Sequence, residues 1–230
     1  MMQVYLAQAR GPVRNGDLLI DAIDTMLMMR AAQGEVSGGI VMDKALIETL
    51  SAVAQALEEE GVEYAVTGSI ASSYHSEPYS SVDVDLIVDA SVEQARHIAQ
   101  RLSPRFYAPD DMLAEAARKR SFVNVVDNRT SLKADLSFIE QGGYLEQALG
   151  RRVRGRIGST TPEFSFVTAE DVILMKLLWR KNTRSAKQWE NALGVARVKG
   201  ARMDWRYLFD QAEKLGVDQD LEQLRDEAGI

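Results

Sequence analysis

The sequence predicts an α/β fold of the α+β kind, with a mixed β-sheet flanked by helices and a mainly helical C-terminal region. Apolar and polar residues alternate at 82–88 and 133–139, as in half-buried strands. Apolar residues recur at helical spacing over 46–57 and fill most of 172–179. The 230 residues, 46% of them hydrophobic, are enough for one or two domains and exclude disordered and coiled-coil classes.

The first clear helical periodicity in the chain begins near residue 42, and the pattern of the preceding residues 1–41 defines only an N-terminal extension without an assigned structure. Residues 42–149 hold the strand-rich part of the chain and are predicted to form one domain. Its elements are predicted in order as a helix over 42–60, a strand over 64–67, a short helix ending at His75, a strand over 82–88, helices over 92–102 and 112–119, and strands over 122–126 and 133–139 with a hairpin turn at 127–130.

Residues 150–230 form the predicted helical region that closes one side of a cleft. A basic run at 151–156 precedes a short strand at 164–167. Thr168, with Asp171 three residues later, is typical of a helix start and opens a strongly apolar helix. Further helices are predicted over 189–198 and 204–214, and a last acidic helix follows.

Composition narrows the chemistry. The chain has no cysteine and only two histidines, His75 and His97, which excludes disulfide scaffolds, thiol nucleophiles and thiolate metal sites. Carboxylates, hydroxyls and lysines must therefore carry any reaction. The net charge is -7, with basic residues concentrated between 101 and 210. Because neither a membrane span nor an export signal is evident, we expect a cytoplasmic protein.

Two aspartates on one predicted strand form the strongest candidate site. Asp83 and Asp85 are two residues apart, so they share a face of the strand at a spacing of about 7 Å. Two such carboxylates repel each other unless a cation lies between them, and Mg²⁺ prefers carboxylate oxygens. Asp135 projects from another alternating strand. If the two strands are neighbours, three carboxylates converge.

A Gly-Ser pair precedes this strand. Gly68 and Ser69 lie between a predicted strand and a short helix. Glycine permits a close backbone approach, and free N–H groups at a helix start together with a serine hydroxyl can hold a phosphate. Taken alone, a Gly-Ser pair is more often a turn, and an Asp-x-Asp motif often occurs by chance.

The order and spacing of these motifs resemble the nucleotidyltransferase superfamily, whose catalytic palm is of the DNA polymerase beta type. The residues are Gly68-Ser69, Asp83-Val84-Asp85 and Asp135 within Lys133-Ala134-Asp135-Leu136. Within that superfamily, the segments TGSIASSYHSEPYSSVDVDLIVD, AEDVILMKLLWR and RSAKQWENALGVARVKGARMDWRYL resemble the AbiEii/AbiGii abortive-infection toxin group. The resemblance extends from about residue 42 to the C-terminus.

The resemblance implies transfer of a nucleoside monophosphate from a nucleoside triphosphate to a hydroxyl, with release of pyrophosphate. Asp83, Asp85 and Asp135 would be the catalytic residues and would bind two Mg²⁺ ions, with Mn²⁺ as a substitute. Gly68 and Ser69 would hold the β- and γ-phosphates. The acceptor would be RNA such as tRNA, a protein or a small molecule, and a toxin would have a cognate antitoxin as partner.

The chain departs from the group at three positions. Tyr79 stands where relatives often carry arginine, Ser81 where they carry threonine, and Asn191 where they carry an acidic residue. These departures leave open an alternative function, a catalytically silent module on the same fold that binds a nucleotide or a partner. The three aspartates are intact, which favours an active enzyme.

Lys176 lies in the middle of the apolar helix, where a lysine is costly unless it has an anionic partner or reaches water. The resemblance implies that it faces the triphosphate, with Arg180 one turn later as a second nucleotide-binding residue. The alternative is a salt bridge to Asp171 or Glu170.

The arginines at 151–156 likewise support two interpretations, a phosphate-binding edge for RNA or the protection of an exposed edge strand. His75 is more easily explained by packing or capping than by catalysis.

Overall fold

The structure of the protein is a computed structural model that describes residues 43–158 and 160–230. The strands are β1 Glu63–Val66, β2 Asp83–Asp89, β3 Phe106–Tyr107, β4 Phe122–Asp127, β5 Lys133–Phe138, β6 Val153–Arg156 and β7 Glu163–Phe166. In these ranges they form one seven-stranded sheet in the order β3-β4-β5-β2-β1-β7-β6. The prediction for residues 1–41 lies outside the described residues.

The described helices surround this sheet and extend beyond it. They are α1 Lys44–Glu59, α2 Gly68–His75, α3 Val92–Leu102, α4 Asp110–Arg118, α5 Tyr144–Gly150, α6 Ala169–Thr183, α7 Ala186–Lys199, α8 Trp205–Leu215 and α9 Asp218–Ala228, with a 3₁₀ turn at Gly200–Arg202. None of the helices in these ranges has the length and apolar character needed to span a membrane.

The sheet is mixed, which confirms the predicted fold class. Strand β2 pairs with β1 in antiparallel and with β5 in parallel orientation. Strands β1 and β7 are parallel, and the pairs β3–β4, β4–β5 and β6–β7 are antiparallel. The two strands after residue 150 thus complete the sheet formed by the preceding part of the chain.

Alternation along the two central strands separates the core from the site. Val84, Leu86 and Val88 on β2 are buried, as are Ala134 and Leu136 on β5. Because successive side chains point to opposite faces, the aspartates between these residues lie on the other face of the sheet.

The start of α6 agrees with its prediction. The Thr168 hydroxyl accepts a hydrogen bond from the backbone N–H of Asp171 at 3.2 Å and caps the helix. The hydroxyl also donates to the Asp171 carboxylate at 2.7 Å. This carboxylate is fully buried and accepts further bonds from Tyr144 and Tyr207, so it ties α5 and α8 to the beginning of α6.

Strand β3 and helix α5 were absent from the sequence prediction. Strand β3 has two residues and helix α5 has seven, both too short for a periodic pattern to develop. Strand β3 exists because it pairs with β4, where Tyr107 is the register partner of Val126. Tertiary pairing, rather than local propensity, determines this strand.

Candidate active site

Three aspartates form a compact carboxylate cluster on one face of the sheet. Asp83 and Asp85 lie on β2 and Asp135 lies on β5, where Asp85 and Asp135 are register partners. One carboxylate oxygen of each residue lies within 4.8 Å of those of the other two. Register partners on adjacent strands point to the same face about 4.8 Å apart. The structure therefore brings together the three residues that the sequence singled out.

The cluster is electrostatically costly without a cation. Burial, together with the charges of Asp83 and Asp135, raises the pKa of Asp85 above its ordinary value. Burial also raises the pKa of Asp135, and a hydrogen bond from Asn124 opposes this rise. A divalent ion with oxygen ligands would relieve the repulsion, and three convergent carboxylates suit the donor preference of Mg²⁺. These residues therefore fit the metal that the resemblance implies.

Asn124 is a member of the site that sequence reasoning missed. Its side-chain amide Nδ2 donates a hydrogen bond to Oδ1 of Asp135. The two residues are register partners on the antiparallel strands β4 and β5, so Asn124, Asp135 and Asp85 form one row across the sheet. The only signal in the sequence was a polar residue between apolar neighbours on a predicted strand. Its partner depends on the strand register, which the sequence alone did not define.

Gly68 makes a close backbone approach to the cluster. It follows β1 as the first residue of α2 and has a φ of +63°, a conformation that favours glycine. A Cβ atom at this position would overlap Oδ2 of Asp85 and lie 2.8 Å from its Cγ. The backbone N–H of Thr67, the residue before Gly68, donates a hydrogen bond to the carbonyl of Asp85 at 2.8 Å. Only glycine allows the start of α2 to sit against the carboxylate.

Ser69 follows within the same turn and is 9% exposed. Its carbonyl accepts a hydrogen bond from Ser73 Oγ at 2.9 Å, while its own hydroxyl bonds to no other described residue. The start of α2 therefore offers backbone N–H groups and a hydroxyl beside the carboxylate cluster, the arrangement expected of a phosphate cradle.

Lys176 is buried on α6, with 2% of its surface exposed, and its charge interacts with Asp85 and Asp83. Burial lowers its pKa, and the charge of Asp85 opposes this change. Lys176 pairs with neither Glu170 nor Asp171, since those two carboxylates pair with Arg151. The alternative salt bridge predicted for Lys176 is therefore wrong.

Arg180 lies away from the cluster in this structure. Its guanidinium donates to the Asp220 carboxylate on α9 at 2.5 Å and lies 4.4 Å from the centre of the Trp189 ring. The residue thus joins α6 to α7 and α9, whereas Lys176 faces the aspartates. Although Lys176 and Arg180 are one turn apart on α6, only Lys176 is directed at the carboxylate cluster.

Of the three departures, Asn191 lies on α7 and Tyr79 packs against it. The Tyr79 hydroxyl donates to the carbonyl of Glu190 at 3.2 Å, and a Cβ atom on Gly194 would overlap it. Tyr79 therefore packs where an arginine would carry a charge. Asn191 is 2% exposed, and its Oδ1 has no hydrogen-bond partner among the described residues.

The contacts of His75 serve packing within the fold. Its Nε2 donates to the carbonyl of Val167 at 2.7 Å, which anchors the end of α2 beside β7. Burial lowers its pKa, and the hydrogen bond to Val167 opposes this shift. Its ring also meets the edge of Tyr74, which stacks on Phe166. These contacts agree with the packing interpretation.

The basic run at 151–156 is paired within the chain. It includes β6, which lies at one edge of the sheet. Arg152 pairs with Glu63 at 2.6 Å, Arg154 with Glu58 at 3.1 Å, and Arg156 with Glu163 at 3.6 Å, while Arg151 stacks on Tyr207. These pairs favour protection of the edge strand over a free phosphate-binding surface.

Solved structures with the same fold include nucleotidyltransferase-like proteins. An antigenic nucleotidyltransferase-like protein from Paracoccidioides brasiliensis aligns with a TM-score of 0.51 and 15% identity, over 81% of this chain and 91% of that one. The solution structure of the antibiotic-resistance factor ANT(2'')-Ia aligns with a TM-score of 0.51 and 14% identity, over 81% of this chain and 96% of that one. Its complex with adenylyl-2''-tobramycin aligns with a TM-score of 0.50 and 12% identity, over 80% and 97%.

No protein-family model and no curated protein sequence matches the chain. At these identities, the structural similarity establishes a shared architecture. The chain therefore has a nucleotidyltransferase-like fold.

Proposed function

We propose that the protein is a metal-dependent nucleotidyltransferase that moves a nucleoside monophosphate from a nucleoside triphosphate to an acceptor hydroxyl. The observation that carries the proposal is the convergence of Asp83, Asp85 and Asp135 beside the glycine at the start of α2. The nucleotidyltransferase-like fold supports the same conclusion. The acceptor oxygen attacks the α-phosphorus, the bond to the β-phosphate oxygen breaks, and pyrophosphate leaves.

The three aspartates would hold two Mg²⁺ ions, for which Mn²⁺ would substitute. When bound, such ions supply positive charge to the attacking and leaving oxygens of an in-line displacement. Asp135 is held in place by Asn124 and would accept the proton of the attacking hydroxyl.

The triphosphate would lie between α2 and α6. The N–H groups at the start of α2 and the Ser69 hydroxyl would bind the β- and γ-phosphates. Lys176 would contribute the cation opposite them, because its charge already interacts with Asp85 and Asp83. Arg180 would join it only after leaving Asp220, so nucleotide binding rests on Lys176. In this arrangement the helices of the region 150–230 close one side of a cleft formed by the domain 42–149.

Three classes of acceptor fit the proposed reaction: a small molecule, an RNA such as tRNA, and a protein. ANT(2'')-Ia has been solved with an adenylylated small molecule, so a small-molecule acceptor is compatible with the fold. RNA such as tRNA, or a protein, fits the same chemistry. A toxin of the abortive-infection type with a cognate antitoxin is the setting that the sequence resemblance suggests.

The test is to incubate the protein with each labelled triphosphate, Mg²⁺ and either total tRNA, cell protein or an aminoglycoside. Wild type should transfer label to one of them, and Asp83→Ala combined with Asp85→Ala should abolish transfer. Asp89→Ala is the control, since Asp89 ends the same strand on the same face but lies outside the cluster. If wild type neither transfers label nor binds triphosphate in a Mg²⁺-dependent manner, the proposal that the protein is a nucleotidyltransferase is refuted.

A second candidate function is a silent module that binds a nucleotide without turnover. The packing of Tyr79 against α7 favours it, because Tyr79 supplies no positive charge where the resemblance implies an arginine. Calorimetry separates the two candidates. A silent module would bind the triphosphate and leave it intact, whereas an enzyme would consume it once the acceptor is added.

A further inference from the structure

A serine hydroxyl lies against one of the three aspartates of the carboxylate cluster. Ser81 is in the loop between α2 and β2, two residues before Asp83. Its Oγ lies 3.3 Å from Oδ1 of Asp83 and 3.0 Å from the backbone carbonyl of the same residue. A hydroxyl has a single hydrogen, which these two acceptors share. An ionised carboxylate is the stronger acceptor of the two, so Asp83 has a hydrogen-bond donor in its own loop.

The loop that carries Ser81 is itself fixed at Tyr79. The backbone N–H of Tyr79 donates to Oγ of Ser73 on α2 at 2.9 Å, and its side-chain hydroxyl donates to the carbonyl of Glu190 on α7 at 3.2 Å. Ser81 is half-buried and lies between this anchor and the first residue of β2. Because the backbone is held on both sides, the hydroxyl is placed beside the carboxylate in advance of any ligand.

The three carboxylates of the cluster are constrained in different ways. Asn124 donates to Asp135, and the backbone at the start of α2 lies against Asp85. For the Asp83 carboxylate, Ser81 is the only hydrogen-bond donor within residues 43–158 and 160–230. Without that donor, repulsion from the two neighbouring carboxylates would favour rotation of the Asp83 carboxylate away from the cluster.

We infer that Ser81 is a positioning residue, whose hydroxyl holds the Asp83 carboxylate in the orientation that binds a divalent cation. The inference rests on the proposed function, because it takes the carboxylate cluster to be a metal site. Removal of a hydrogen-bond partner that orients a metal ligand typically lowers metal affinity about 10- to 100-fold. Since the Ser81 hydrogen is shared with a carbonyl, the expected loss lies at the lower end of that range.

The test compares wild type with three variants at one position. Ser81→Thr keeps the hydroxyl, Ser81→Ala removes it, and Ser81→Val removes it from a side chain with the shape of threonine. Binding of Mn²⁺ alone is followed by electron paramagnetic resonance, and binding of Mg²⁺ with a nonhydrolysable triphosphate by calorimetry. Ser81→Thr should bind within about twofold of wild type, whereas Ser81→Ala and Ser81→Val should each bind about tenfold more weakly.

Ser103→Ala is the matched control. Ser103 is an exposed serine at the end of α3, and its hydroxyl donates to the carbonyl of Gln100 at 2.9 Å. It therefore loses the same kind of hydrogen bond to the backbone at a position outside the cluster, and its metal affinity should equal that of wild type.

Thermal unfolding of the same variants separates positioning of the carboxylate from stability of the loop. If Ser81→Ala and Ser81→Val lower Tm but bind Mn²⁺ as wild type does, the hydroxyl serves only the backbone carbonyl; the inference is then overturned and the proposed reaction stands. Equal weakening in all three variants, threonine included, would also overturn it, because the hydroxyl would not be the cause. If wild type binds neither Mn²⁺ nor Mg²⁺ with triphosphate, the metal site is absent, and the proposed function fails together with the inference.

Discussion

Replacement of Gly68 by alanine tests the geometry on which the site depends. The substitution has two costs. An L-residue at a φ of +63° loses about 1 to 2 kcal/mol relative to glycine. The new Cβ would also overlap Oδ2 of Asp85 and lie 2.8 Å from its Cγ, so the carboxylate must move, and such crowding typically costs about 1 to 3 kcal/mol.

The two costs together lower the free energy of unfolding by about 2 to 5 kcal/mol. For a chain of this size, that loss corresponds to a fall in Tm of roughly 5 to 15 °C. The second consequence is functional, because Asp85 would leave the cluster and Mg²⁺ binding would weaken. Thermal unfolding followed by circular dichroism measures the first effect, and calorimetric titration with Mg²⁺ and a nonhydrolysable triphosphate measures the second.

Gly61→Ala separates backbone strain from the clash. Gly61 has the same φ of +63°, and a Cβ there would have no atom within 4 Å. This control should lose only about 1 to 2 kcal/mol and should bind Mg²⁺ as wild type does. Equal losses of stability in the two variants, together with unchanged Mg²⁺ binding by Gly68→Ala, would refute the reasoning.

Three further predictions concern positions around the cluster and in the core. Asn124→Ala should weaken Mg²⁺ binding about tenfold in calorimetry, because Asp135 loses the donor that orients it; wild-type affinity would contradict this. Lys176→Met should lower triphosphate affinity at least tenfold, because the buried cation beside Asp85 and Asp83 is lost; unchanged affinity would exclude it from the site. Arg105→Leu should cost about 3 kcal/mol in urea unfolding at pH 7, because the buried Asp127 keeps its hydrogen bonds from Thr49 and the Arg129 backbone but loses its ion-pair partner. Burial would raise the pKa of the Asp127 carboxyl, but hydrogen bonds, of which that from Arg105 has the largest effect, hold the pKa below its usual range. The stability that the ionised carboxylate contributes is therefore present above about pH 4 and is lost as the pH falls further. The cost should therefore shrink near pH 3, and a constant cost would be contrary to the argument.

Much of the fold could be predicted because its central strands carry a clear alternation. Strands β2 and β5 bury Val84, Leu86, Ala134 and Leu136 on one face, so their period was visible in the sequence. Strand β3 was not visible, because its two residues are defined by their pairing with β4. Short elements held by tertiary contacts lack the repeats on which sequence inference depends.

The candidate site was predictable to the extent that it consists of residues on alternating strands and one glycine. That Asp83 and Asp85 share a face followed from the period of the strand. The approach of Asp135 required the parallel register of β2 and β5, and that of Asn124 required the antiparallel register of β4 and β5. The partner of Arg180 is Asp220, forty residues away, and no local pattern could identify it.

In the proposed reaction, the charge balance of the site would couple binding of the metal to binding of the nucleotide. Three carboxylates converge, while Lys176 is the cation buried against them and Lys133 lies at the surface. A triphosphate alone would therefore meet a net negative cluster at the point where its α-phosphate must lie. Two divalent ions would reverse that sign, and a bound triphosphate would relieve their mutual repulsion. Metal and nucleotide should thus strengthen each other's binding, and since this coupling is reciprocal, a triphosphate titration with and without Mg²⁺ measures it directly.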